Sequence, residues 1–380
     1  MFASRSASRA GAALARAPRR LVASSASSDA HADAILRVGA DPPDSLRALA
    51  DVLRASGCRP VAPHERDGLH PLVLPLAAEP AGGVLGLLLR PADAGARLRA
   101  GPLPVVRSGP GGIDLVSPDA AAHVHRALIE EDAAVPRDAG DDARPIARAA
   151  GALGARLYAR GQLAASAMPH RPDVFVQRNV PARFPSVMAN LAAAHEAKRD
   201  VLSALVTHEW LANEPSFRGW AFPHAHNARA LRRHARDDEA RDAARVALAS
   251  APWWTLGAQP GVAREMADIA GLAATMRARG WGAAELREML ETGGEAHRAA
   301  AAAMEGNANA ESNAESNANA PEALAVAAAS AAMDAVALGA DVDAAKGVAM
   351  DWDAAREVVG GFYGEAGMRA LAAFVRREDE

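Results

Sequence analysis

A chain of 380 residues is long enough for one large or two modest hydrophobic cores. Its 42 Lys and Arg stand against 46 Asp and Glu, a formal net charge of -4, which offers none of the basic excess that dominates nucleic-acid affinity. The single cysteine, Cys58, excludes an internal disulfide and every cysteine-rich metal cluster, and no apolar run of about 18 residues is expected to span a membrane.

Residues 1–28 contain no Asp or Glu, and Arg5, Arg9, Arg16, Arg19 and Arg20 alternate with serines, the composition of an organellar transit peptide. The apolar residues are mostly alanines, with Leu14, Leu21 and Val22 scattered, so a secretory apolar core is missing. Processing is expected within 23–29, and without those five arginines the remainder carries about -9. This composition serves plastids and mitochondria alike, so the stroma and the mitochondrial matrix both stay open at this point.

The rest reads as α+β and predominantly helical. Over 29–143 a small α+β unit is expected: a helix at 44–56 with Leu46, Leu49 and Leu53 on one face, capped by Asp44 or Ser45. Short apolar runs at 72–76, 84–89, 103–107 and 113–116, bounded by Gly and Pro, predict three or four strands before a helix at 118–132. From 144 to 298 alanine-rich segments predict helices at 146–164, 186–211, 224–236, 237–250, 261–276 and 283–292, and 174–177 alone keeps a strand signal. Residues 228–249 look like a tetratricopeptide-like hairpin without a 34-residue repeat. In 186–211 the inner stripe is Met188, Leu191, Leu202 and Leu205. A polar insertion at 299–320, rich in Asn, Ala, Glu and Ser, cannot bury a core and is expected to be disordered. Helices at 323–338 and 352–362 and a last one through Leu371, Phe374 and Val375 make 321–380 a unit packed on the helical one.

Few segments carry a motif with chemistry. Gly109, Gly111 and Gly112 lack the Lys and Ser/Thr of a phosphate loop and read as a hairpin turn. There is no nucleophile elbow and no H-E-x-x-H zinc pair. His224 and His226 could chelate a metal in a hydrolase, but Pro223 puts them in a first helical turn, where the two side chains diverge. His123 and His125, in a predicted helix, diverge in the same way. Arg229, Arg232, Arg233 and Arg236 could hold RNA, although Asp237, Asp238 and Glu239 follow at once. Trp253 and Trp254, like Trp210, Phe217, Trp220 and Phe222, form either a small core or a partner anchor, one tryptophan of the pair being assigned to the core.

The stretches 173–178, 183–189, 241–248 and 252–257, with a weaker likeness around 364–368 and Phe374, resemble the IN CHLOROPLAST ATPASE BIOGENESIS family of green-lineage plastid proteins. The resemblance covers about a third of the chain and omits 34–143 and 307–320. It implies a stromal assembly factor for the chloroplast ATP synthase, not an enzyme, with no cofactor or metal. Its implied partner is the β subunit of the catalytic head, with no nucleic acid. Arg183, Phe184, Trp253 and Trp254 are the expected contact residues around a groove, with His224 and Arg245 as further expected contacts.

Overall fold

The computed structural model describes residues 22–91, 98–279, 282, 285, 286, 290, 321–338, 341–343, 348, 349 and 351–378. The expected transit peptide therefore falls outside the described residues up to 21. Its last residues, and the expected processing window, belong to α1 (Val22–Arg37). That helix docks through His31, whose buried Nε2 lies 3.1 and 2.9 Å from the carbonyl oxygens of Val61 and Pro75.

Leu46, Leu49, Val52 and Leu53 bury one face of α2 (Leu46–Ala55), as the spacing predicts; Ser45 precedes it but makes no side-chain cap. A five-stranded antiparallel meander follows: β1 (Arg59–Pro60), β2 (Val73–Ala78), β3 (Val84–Leu88), β4 (Val105–Gly109) and β5 (Gly112–Ser117). The fifth strand, β1, is two residues long and contains a proline, so it carries no apolar run to read. β2 and β3 are buried along nearly their whole length, which explains continuous apolar runs in place of alternation.

α3 (Ala120–Ala134) starts at Asp119, whose carboxylate accepts the Ala122 N–H at 2.7 Å. Glu131 of α3 then caps the next helix, α4 (Pro145–Leu157), accepting the N–H groups of Ile146 and Ala147 at 2.7 and 2.9 Å. α5 (Gln162–Ala165) and α6 (Pro172–Asn179) follow. The strand signal at 174–177 is thus corrected to a helix, because Pro172 presets the first turn. The single helix expected at 186–211 is two, α7 (Pro185–Ala197) and α8 (Val201–Asn213). Between them Arg199 takes a left-handed φ of 61° and Asp200 caps α8.

The expected hairpin is present as α9 (Phe222–Arg233) and α10 (Asp237–Ala249), closed along a seam where Ala225, Ala228, Ala244 and Ala247 are fully buried. α11 (Val262–Ile269), α12 (Ala273–Arg279), α13 (Pro321–Leu338), a two-stranded ribbon of β6 (Asp341–Asp343) and β7 (Val348–Ala349), α14 (Trp352–Glu365) and α15 (Arg369–Arg376) complete the described elements. The helix expected at 283–292 and the polar insertion at 299–320 lie largely or wholly outside the described residues. One expectation needs correction: α13, with 18 residues and only Glu322 and Asp334 charged, is long and apolar enough to cross a membrane by length and composition. Its inner face is packed within the protein, where buried Asp334 accepts the Trp253 N–H.

The sheet is held from outside at the β4–β5 turn. Gly111 N–H donates to Ala258 O at 3.0 Å, Ala258 N–H donates to Asp114 at 2.9 Å, and Trp352 Nε1–H donates to Gly109 O at 2.9 Å. A Cβ on Gly111 would sit 1.9 Å from Gln259 O, and Gly112 has a φ of +146°, so side chains are excluded by the close approach of two backbones. Further along, buried Arg356 donates to the carbonyls of Arg66 and Leu69, both at 2.8 Å, tying α14 to the loop before β2.

Candidate functional site: a polar cleft and an exposed helix face

α3, α7, α9 and the ends of β4 and β5 enclose a cleft of about 500 Å³. Its walls carry Arg107, Asp114, His123, Arg126, Glu130, Ser186, Asn190 and His226, and Ala189, Phe222 and Leu256 add apolar surface. His123, Arg126 and Glu130 share one face of α3 because they are spaced i, i+3, i+7.

The charges in the cleft are already matched. Arg107 donates to both oxygens of Glu79, at 3.0 Å for the Nη2 contact, and lies 3.5 Å from Asp114. The hydrogen bonds to Glu79, followed by the charges of Glu79 and Asp114, hold its pKa above the ordinary arginine value. Arg126 donates to Glu130 and to Ser186 Oγ, both at 2.7 Å, while its guanidinium lies 5.2 Å from the Phe184 ring centroid. Burial, and then the charge of Arg126, lowers the His123 pKa to about 4. Burial and Arg229 lower His226 to about 4. Both imidazoles are neutral near pH 7, and His123 Nδ1 has no hydrogen-bond partner among the described residues. Ser186 is the one hydroxyl among the described lining residues, and a guanidinium holds its oxygen. The cleft can therefore bind a polar segment through paired donors and acceptors, and its hydroxyl has a cation for a neighbour where a nucleophile needs a base.

The expected contact residues scatter. Phe184 is fully buried beneath Arg126, as a support for the cleft wall. Arg183 is half-buried, donating to Gln177 O at 3.3 Å and pairing with Glu214 at 3.7 Å. Trp253 and Trp254 are 0% and 2% exposed, so both, and not one, belong to the core. The Trp253 Nε1–H donates to Leu248 O at 2.8 Å, and the Trp254 ring lies 4.6 Å from buried His70. His224 is half-buried on α9 and stays out of the cleft that His226 lines. Arg245 lies on the outer side of α10, 3.9 Å from Asp242.

Neither alternative chemistry gains a site among the described residues. Among the described residues no three His, Cys, Asp or Glu side chains gather as a metal set. Each guanidinium of the basic run holds a carboxylate: Arg229 with Glu265, Arg232 with Asp268, Arg233 with Glu196 and Arg236 with Glu239. Such pairing leaves few charges to exchange for phosphate counterions.

A second surface escaped the sequence reading. With the helix broken at Arg199, Leu202 does not join the inner stripe; it is 73% exposed. Val206 at 54% and Trp210 at 43% follow it at i+4 and i+8, an apolar stripe on the outside of α8.

Comparison with known proteins falls on the elements just described. Residues 30–179 match the PAB N-terminal domain and residues 185–273 match the PAB middle domain. Protein IN CHLOROPLAST ATPASE BIOGENESIS, chloroplastic, of Arabidopsis thaliana is 35% identical over 232 residues, 60% of this chain and 66% of that protein. The match thus spans slightly less than two thirds of the relative's length. No solved structure matches the chain. The cleft is assembled from both matched domains, α3 and the sheet from the first and α7 and α9 from the second. With two consecutive family domains matched and a curated relative 35% identical over 60% of the chain, the chain belongs to the IN CHLOROPLAST ATPASE BIOGENESIS family.

Proposed function

We propose that this protein is a non-enzymatic auxiliary factor for biogenesis of the chloroplast ATP synthase, working in the plastid stroma. It holds an unassembled subunit of the catalytic head, the β subunit first among them. One observation carries the reading: the relative is named for chloroplast ATPase biogenesis, and the cleft between the two domains matched here offers paired polar groups. In this reading Arg126, Asn190 and Glu130 contact an exposed polar segment of the subunit. Phe184 stiffens Arg126 from beneath, and the Trp253–Thr255 turn sets Leu256 in the floor. Arg183, His224 and Arg245 then act outside the cleft, at most on its flanks.

The test uses immobilised full-length protein and purified α, β and γ head subunits, one at a time. Wild type retains β, and Arg126→Glu and Ala189→Trp each weaken retention at least about tenfold with unchanged thermal unfolding. Retention of a different head subunit, lost in the same variants, would correct the partner while keeping the cleft. Retention of none, or retention indifferent to both variants, would refute the proposal.

A further inference from the structure

The outer stripe of α8 is independent of the cleft, and its arrangement names its own occupant. Leu202 and Trp210 lie four residues either side of Val206, so the stripe is symmetric about Val206. A second α8 laid antiparallel about a two-fold axis at Val206 sets each Leu202 against Trp210 of the second copy and the two valines against each other. This is the self-complementary geometry of an isologous contact.

The charges around the stripe agree. Lys198 and Arg199 are exposed at the N-terminal end of α8, while Glu209 is exposed on the same face toward its C-terminal end. Glu214, just beyond, is largely buried and already engaged by Arg183 and Ser216. Turning a second copy end over end brings each basic pair toward the other copy's Glu209, and sets the two helix dipoles antiparallel. Of the acids at the basic end, Asp200 is occupied by the Ser203 N–H at 3.1 Å and by His195 at 3.5 Å, and Glu196 by Arg233 at 2.7 Å. A parallel pairing would oppose like charges at both ends of the contact.

Area sets the strength. The stripe presents on the order of 400 Å² of apolar surface, within the range of the largest patches on monomers and often a functional one. A stable interface takes about 800 Å² from each partner, so the stripe supplies its apolar centre and polar flanks of α7 and α8 supply the rest. We infer that two copies of this chain associate through antiparallel α8 helices, centred on Val206, as a reversible homodimer. The inference does not depend on the client reading, because it concerns the purified chain alone.

Sedimentation velocity of the full chain across a concentration series tests it. Wild type shows a concentration-dependent dimer, and Leu202→Glu or Val206→Glu raises its dissociation constant at least about 100-fold. Both residues are solvent-exposed, so circular dichroism, and the melting temperature at concentrations where wild type is monomeric, stay at wild-type values. Orientation is read by charge exchange: Arg199→Glu and Glu209→Arg each weaken self-association, and an equimolar mixture of the two restores a mixed dimer. A monomer at every concentration, a dimer untouched by the α8 variants, or a mixture no tighter than its parents would overturn the proposal.

Discussion

Replacing Gly111 with alanine probes the grip of the helical segments on the β4–β5 turn. The added Cβ would sit 1.9 Å from Gln259 O, 2.4 Å from its carbonyl carbon and 2.8 Å from Pro260 N, all backbone atoms that no rotamer change can move aside. Ordinary carbon–oxygen contact needs more than an ångström of retreat. That retreat breaks the Gly111 N–H to Ala258 O bond at 3.0 Å and strains the neighbouring Ala258 N–H to Asp114 bond at 2.9 Å. Two hydrogen bonds at about 1 kcal/mol each, with about 1 to 3 kcal/mol of overpacking, give an expected loss of about 3 to 5 kcal/mol. Gly140→Ala is the matched control, because its φ is -66° and no atom lies within 4 Å of the new Cβ. Its expected change stays within about 0.5 kcal/mol of zero. Urea unfolding at constant m reads both. If Gly111→Ala falls within about 1 kcal/mol of the control, the turn is not clamped and the close approach carries no energetic weight.

Two further outcomes follow from buried groups. His70 lies between Trp254 and Trp352, and burial together with the charge of Arg356 lowers its pKa to about 3. Unfolded, it titrates near 6.5, so below that pH the unfolded chain binds a proton that the folded chain refuses. Its contribution is full above about pH 6.5 and is lost toward pH 3, reaching about 2 kcal/mol of loss at pH 5. His70→Gln should remove that slope in urea titrations at pH 7.5 and 5.0, and identical slopes in both proteins would contradict the assignment. Trp253→Phe keeps a ring but leaves Leu248 O without its donor at 2.8 Å, for an expected cost of about 1 to 3 kcal/mol in thermal or urea unfolding. Unchanged stability with lost capture of a head subunit would return Trp253 to a contact role.

Much of the fold was legible wherever a local signal and the tertiary structure agree. Short apolar runs between Gly and Pro marked four of the five strands, and alanines with alternating charge marked the α9–α10 hairpin. The break before α8 was not legible, because Lys198, Arg199 and Asp200 include neither Gly nor Pro and Arg199 enters the left-handed region despite its side chain. Periodicity carried across that break placed Leu202 inside and hid the outer stripe. Trp253 and Trp254 were conspicuous by type, yet ring size speaks equally for core and for contact, and only Asp334 of α13, 81 residues later, decides it. The cleft draws on five elements, so only its α3 face, through the spacing of His123, Arg126 and Glu130, left a trace in sequence.

The hold on the β4–β5 turn also bears on the order in which the chain can fold. Trp352, which donates to Gly109, is 243 residues away in sequence, and Arg356 reaches Arg66 across 290. Contacts of such separation form late, after the large loops between them have closed. During synthesis the sheet would thus emerge long before its last supports, with its β4–β5 turn uncovered until Ala258 and then Trp352 arrive, and the loop before β2 uncovered until α14 does. A chaperone that shelters the first 120 or so residues through that interval would act on a unit that is complete in strands but not yet in stability.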